Sequence, residues 1–142
     1  MADNNKAKVT VEVEIHAPIK KVWEMWTKPE HIVKWNSASE DWHSPKAEND
    51  VREGGKFNIR MESKDGKEGF DFSGTYDEVA VEDFISYTMD DGRRVDVSFE
   101  DDGDKTHVTE TFEAEDDNSI EVQKGGWQAI LNNFKKYVES NK

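Results

Sequence analysis

The sequence predicts an α+β fold in which a curved antiparallel sheet of about six or seven strands wraps around one long C-terminal helix. Two short helices follow the first strand. Three observations carry this reading. Apolar residues alternate with a period of two through much of residues 8–112, interrupted by tight-turn signals such as Lys64-Asp65-Gly66-Lys67 and Asp90-Asp91-Gly92. From about residue 118 the period becomes that of a helix, with Ile120, Trp127, Ile130, Leu131, Phe134 and Val138 on one stripe. Consecutive hairpins make a sheet with one buried face, and the C-terminal helix is the one element long enough to cover it.

Taken in order, Val9, Val11, Val13 and Ile15 point to one side of a first strand, opposite Thr10, Glu12, Glu14 and His16. Ala17-Pro18 ends it, and Pro18 suits the first turn of a helix whose apolar side is Val22, Trp23, Met25 and Trp26. Thr27-Lys28-Pro29 breaks that helix; Thr27 is expected to cap a second one bearing Ile32, Val33 and Trp35. Residues 36–53 are polar apart from Trp42, and a short edge strand is expected around 41–47.

After Gly54-Gly55 the strands are clearer. Phe57, Ile59 and Met61 face inward on one, and Phe70, Phe72, Gly74 and Tyr76 on the next. The parity then shifts to Val79 and Val81, so a bulge is expected near Asp77-Glu78. Further strands carry Ile85, Tyr87 and Met89, then Val95, Val97 and Phe99, then Val108, Glu110 and Phe112. Asn118 or Ser119 is expected to cap the long helix, with Asp116-Asp117 favouring its positive end. Gly125-Gly126 inside that helix costs about 2 kcal/mol relative to alanine, which suggests a close approach or a bend. Residues 1–7 are read as a disordered polar tail and 8–140 as a single domain.

The 142 residues are enough to bury one core. Against 32 Asp and Glu stand 19 Lys and Arg, a net charge of −13, which repels phosphate backbones and argues against nucleic acid or an anionic membrane as a partner. With no cysteine, thiolate catalysis and Cys-based zinc sites are excluded. No apolar run reaches the ~20 residues of a membrane span, and MADNNKAK lacks the apolar core of a signal peptide. A cytoplasmic protein, monomeric or weakly dimeric, is expected.

The segments APIKKVWEMWTKPEHIVKW, GGKF, FSGTYDEV and GGWQAIL, in that order, resemble the helix-grip superfamily of START-like, polyketide-cyclase-like and Bet-v-1-like domains. More narrowly they resemble the activator of the ninety-kilodalton heat-shock-protein ATPase homologue family, from about Val9 to Val138. The resemblance implies the helix-grip fold and, in small members, a cavity between the long helix and the sheet. Related branches bind lipids or hormones, cyclise polyketides or sequester reactive natural products. In the eukaryotic co-chaperone that names the family, this domain is C-terminal to another.

The residues leave several roles open. Trp23, Trp26 and Trp35 can seal the core under the rim of the sheet. Trp35 or Trp42, flanking the polar stretch Asn36–Asp41, can instead line the mouth of a cavity, since a tryptophan is apolar with one donor. The expected cavity wall combines Phe57, Ile59, Met61, Phe72 and Tyr76 with Tyr87, Met89, Val97 and Phe99, and Trp127, Ile130 and Leu131 from the helix. Two polar residues break the apolar pattern: Glu110 on inward strand parity, and Gln123 one turn before Trp127. A carboxyl in such a cavity should have a raised pKa, as acid–base groups need; otherwise Glu110 sits near its strand end, solvated or paired with Arg93. The four histidines have no metal-ligand spacing, and neither metal nor cofactor is expected. The leading function is non-enzymatic binding of a small hydrophobic or aromatic molecule. The alternatives are a cyclase- or dehydratase-like enzyme using Glu110, and a module that binds a chaperone partner and activates its ATPase.

Overall fold

All neighbouring strands of the sheet are antiparallel, in the order β1-β7-β6-β5-β4-β3-β2. In a computed structural model, which describes residues 7–36, 40–115 and 119–140, the elements are β1 (Lys8–Ile15), α1 (Ile19–Thr27), α2 (Pro29–Trp35), β2 (Trp42–Asn49), β3 (Lys56–Ser63), β4 (Gly69–Ala80), β5 (Phe84–Met89), β6 (Arg94–Asp101), β7 (Thr106–Glu113) and α3 (Ile120–Ser140). β1 returns to pair with the last strand, so α1 and α2 carry the chain from one sheet edge to the other. The sheet curls into a half-barrel and α3 lies in its concave face, as the alternation and the late change of period require.

The expected bulge is present: the β4–β5 register shifts between Tyr76 and Glu78, which bends the longest strand. The edge strand runs to Asn49, further than expected, and tolerates Pro45 at a second irregularity between His43 and Lys46. Gly74 faces Phe57 across β3 and β4, and a Cβ there would lie 3.0 Å from the Phe57 ring and 2.6 Å from the Thr88 carbonyl oxygen. The missing side chain makes room for the ring to lie across the strand.

Three local expectations are corrected. Thr27 does not cap α2: it ends α1, where its hydroxyl donates to the Trp23 carbonyl oxygen, and Lys28 occupies the cap position. Gly125 and Gly126 answer no close approach, because a Cβ on either would meet nothing within 4 Å. Ile120 is 43% exposed, so the apolar stripe of α3 begins at Trp127. Ser119 does cap α3, its Oγ accepting from the Val122 amide at 3.1 Å. Asn118, Asp116 and Asp117 lie outside the described residues, as do residues 1–6 of the expected tail.

The tryptophan-rich segment forms a corner. Trp26 meets Trp35 at 5.1 Å between ring centroids, and both meet Phe134 of α3, at 4.9 and 4.7 Å. Trp35 is buried, and its indole donates to the Met25 carbonyl oxygen at 2.9 Å, which closes the α1–α2 turn. His31 and Tyr137 share a hydrogen bond of 2.6 Å between α2 and α3. Phe134→Ala should therefore cost about 3–5 kcal/mol in chemical denaturation, since it empties the centre of this corner. Gly125→Ala and Gly126→Ala should each stabilise the fold by about 0.5–1 kcal/mol, because helix propensity is gained and nothing is displaced. Thermal melts of the two single variants check this.

Candidate functional site

A cavity of about 300 Å³ lies between α3 and the concave sheet. Its wall follows from strand parity. Phe57, Ile59 and Met61 alternate inward on β3, and β4 places Phe72 opposite Ile59 and Phe70 opposite Met61. β5 adds Tyr87 and Met89, directly opposite Tyr76 and Gly74. From above, α3 contributes Trp127, Ile130 and Leu131, while Trp26, Ile32 and Trp35 close the corner end. Phe57, Tyr76 and Tyr87 form one aromatic cluster, with centroids 4.9 to 6.1 Å apart. Trp127 stacks on Phe112 at 4.0 Å, which holds its indole over the cavity. Phe70 lines the cavity yet is 52% exposed, so it lies at the cavity's rim.

Most polar groups on this wall are already engaged. The Tyr76 hydroxyl donates to Asn49 Oδ1, and Asn49 Nδ2 donates to the Thr27 carbonyl oxygen at 2.6 Å, tying the edge strand to the helical corner. Burial pushes the Tyr76 phenol far above its usual pKa. Arg93 lies just before β6, with Nε donating to Asp91 at 2.9 Å, Nη1 to the Glu113 carbonyl oxygen at 3.4 Å, and Nη2 3.8 Å from Glu115.

Glu110 differs. It is the fifth residue of β7, between Val11 of β1 and Val97 of β6, and is 6% exposed. This corrects the expectation of a solvated place near the strand end or a pairing with Arg93. Among the described residues no hydrogen bond or ion pair engages its carboxyl group, although Arg93 lines the same wall. Among the described residues no buried, sealed side-chain polar atom lacks a partner, so the Glu110 oxygens open onto the cavity. The Tyr87 hydroxyl is in the same situation, buried and without a hydrogen bond among the described residues. Burial pushes the Glu110 carboxyl up to about 8, with no charged neighbour contributing. The Tyr87 phenol is raised by burial first and by the charge of Glu110 second.

Of the residues singled out in the sequence, Trp35, Phe57, Ile59, Met61, Phe72, Tyr76, Tyr87, Met89, Glu110, Trp127, Ile130 and Leu131 meet at this cavity. Trp42, Val97, Phe99 and Gln123 do not. Trp42 packs on Phe70 at the rim, at 5.9 Å. Val97 and Phe99 lie in the closed core, where Phe99 meets the edges of Trp23 and Trp26. Gln123 accepts from the Glu115 amide at 2.8 Å and donates to its carbonyl oxygen at 3.1 Å, pinning the chain ahead of α3. Of the stretch Asn36–Asp41, residues 37–39 lie outside the described residues.

Sequence reasoning missed Trp26, Ile32, Asn36, Asn49, Phe70, Arg93 and Glu115 as wall residues. The shared parity of Phe70 and Phe72 could have found Phe70; nothing local signals Asn49, which arrives from the far edge of the sheet. No group of three or more acidic or histidine residues fit for a metal occurs among the described residues. Nor is any described helix long and apolar enough to cross a membrane.

The model of the family described as activator of Hsp90 ATPase homolog 1-like protein matches residues 16–139. The chain belongs to that family. A solution structure of an AHSA1-like protein from Aeromonas hydrophila is 44% identical, with a TM-score of 0.90, covering 95% of this chain and 94% of that one. A protein from Cytophaga hutchinsonii is 51% identical, with a TM-score of 0.82, covering 94% and 93%. A protein from Nitrosomonas europaea keeps the fold at 20% identity, with a TM-score of 0.81, covering 95% and 96%. No curated protein matches the chain. This AHSA1-family chain has the superfamily's helix-grip architecture.

The raised Glu110 gives a stability test. Its carboxyl binds its proton more tightly folded than unfolded, so folding is favoured below the unfolded value of 4.5 and that advantage is lost as pH rises to about 8. The wild-type protein should lose several kcal/mol relative to Glu110→Gln between about pH 5 and pH 8, read from denaturant midpoints. A constant difference over that range would show a solvated carboxyl.

Proposed function

We propose that this chain binds a small hydrophobic or aromatic molecule in the cavity beneath α3 and does not turn it over. The observation that carries the reading is the unfilled space of about 300 Å³ walled by aromatic and aliphatic side chains. Apolar walls with a few polar groups are the usual composition of a small-molecule site. The expected cytoplasmic setting belongs to this reading. A partner with a phosphate backbone does not fit the net charge of −13.

A second reading has its own observation. Glu110 and Tyr87 both present polar groups to the cavity that have no partner among the described residues, and a carboxyl titrating near neutrality is suited to proton transfer. An enzyme would use Glu110 as acid or base and Tyr87 as a hydrogen-bond donor to a developing oxyanion. Activation of a chaperone ATPase rests on the family's description alone, and an interior left unfilled favours the ligand over a purely surface role.

A neutral apolar quencher tests the binding reading. 1-Bromonaphthalene should quench tryptophan emission saturably with one site per chain. Trp35→Phe or Trp127→Phe should diminish the response, whereas Trp23→Phe should leave it intact, since Trp23 is half-buried against Phe99 and does not line the cavity. Quenching that stays linear up to the solubility limit would count against a site.

A further inference from the structure

The polar content of the cavity is lopsided. Among the described residues its wall holds one cation, Arg93, and two carboxyl groups, Glu110 and Glu115. Arg93 is already matched by the carboxylates of Asp91 and Glu115. Glu110 is left over, more than nine-tenths buried, aimed into the cavity and without a partner among the described residues. An unpaired buried carboxyl is costly to ionise, and the natural compensation is a cation brought by whatever fills the space.

The rest of the wall suits the same guest. Aromatic faces attract cations through their quadrupoles, more strongly where water is excluded, and such cages are a recurrent way of holding ammonium groups. Phe57, Phe72, Tyr76, Tyr87 and Trp127 surround the space. At long range, the net charge of −13 draws cations to the protein and repels anions.

We infer that the cavity's occupant carries one positive charge on an apolar body, an alkyl or aryl amine, with its ammonium paired to Glu110 among the aromatic rings. This rests on the cavity-binding reading above and specifies the ligand's polar end. A carboxylate of the same length would bring a third acid beside Glu110 and Glu115 with no free cation to meet it. An alcohol would gain one hydrogen bond without charge.

The groups facing Glu110 make the pairing dependent on pH in one direction. Its strand neighbours are Val11 and Val97, α3 presents Trp127, Ile130 and Leu131, and the helical corner presents Trp26, Ile32, Trp35 and Asn36, none charged. Tyr76 and Tyr87 stay neutral because burial raises both phenols. Asn49 on the β2 side is uncharged, and Arg93 with Glu115 forms a matched pair. The titrating group is therefore Glu110, protonated below about 8, so an ammonium must displace its proton to pair with it.

Calorimetric titration with decylamine, decanol and decanoate, each below its micellar concentration, tests the inference. At pH 8, decylamine should bind at least about ten-fold more tightly than decanol, which corresponds to about 1.4 kcal/mol, and decanoate most weakly. The decylamine affinity should fall toward pH 6, and at pH 7 its binding should release a proton, seen as a heat that varies with the buffer's ionisation enthalpy. Glu110→Gln should abolish both the amine's advantage over decanol and the proton release. If decanol binds as well as decylamine, or the advantage survives in Glu110→Gln, the inference is overturned and the cavity-binding reading stands. If none of the three binds, both fall.

Discussion

The rest of the molecule depends on α3 being held at both ends over a concave sheet that one helix cannot fill. At its C-terminal end Phe134 is gripped by Trp26 and Trp35, Tyr137 bonds His31, and Lys135 reaches the Glu14 carbonyl oxygen at 2.6 Å. Glu139 accepts the His16 amide at 2.9 Å, so the end of β1 is tied to the same turn of helix. At the N-terminal end Gln123 holds the backbone of Glu115 from both sides. Between these anchors Trp127 stacks on Phe112 and Gln128 donates to the Glu12 carbonyl oxygen at 3.1 Å, and the volume beside them stays open. Filling it with side chains would need a larger residue at several positions at once, which close packing elsewhere would resist.

That arrangement separates two kinds of aromatic residue. Trp26, Trp35 and Phe134 stabilise the corner by burying ring surface against ring surface. Phe57, Phe72, Tyr76 and Tyr87 are held from behind by the sheet and from the sides by each other, but have open faces. The curvature at the β4 bulge and the absence of a side chain at Gly74 let these rings share one concave surface. A wall made this way is rigid before anything binds, which lowers the cost of ordering it around a guest.

Glu110 is the exception to an apolar design. The fold commits β7 to the middle of one half of the sheet, so its inward face is buried regardless of what sits on it. A carboxyl at such a place weakens the folded state as it ionises. Natural cores seldom keep that cost without a compensating use, and an unpaired polar group in a cavity is where such a use is found.

The sequence by itself determined the architecture. Alternation in β1 and β3–β7 assigns each residue a face because the strand period is two, and a one-residue slip would expose the whole set. The parity shift after Tyr76 located the bulge for the same reason, and the change of period located α3. Inward parity likewise placed Phe57, Ile59, Met61, Tyr87 and Glu110 on the concave side. The tertiary structure alone decided which inward residues meet open space and which are sealed. Val97 and Phe99 have the same parity as Tyr87, but are buried in the closed core, where Trp23 and Trp26 of α1 pack on Phe99. Asn49 and Arg93 reach the wall from an edge strand and a turn, where no periodicity speaks. Whether Glu110 is paired with Arg93 is set by where Asp91 and Glu115 lie in space, and local sequence patterns carry no information on distances across a curved sheet.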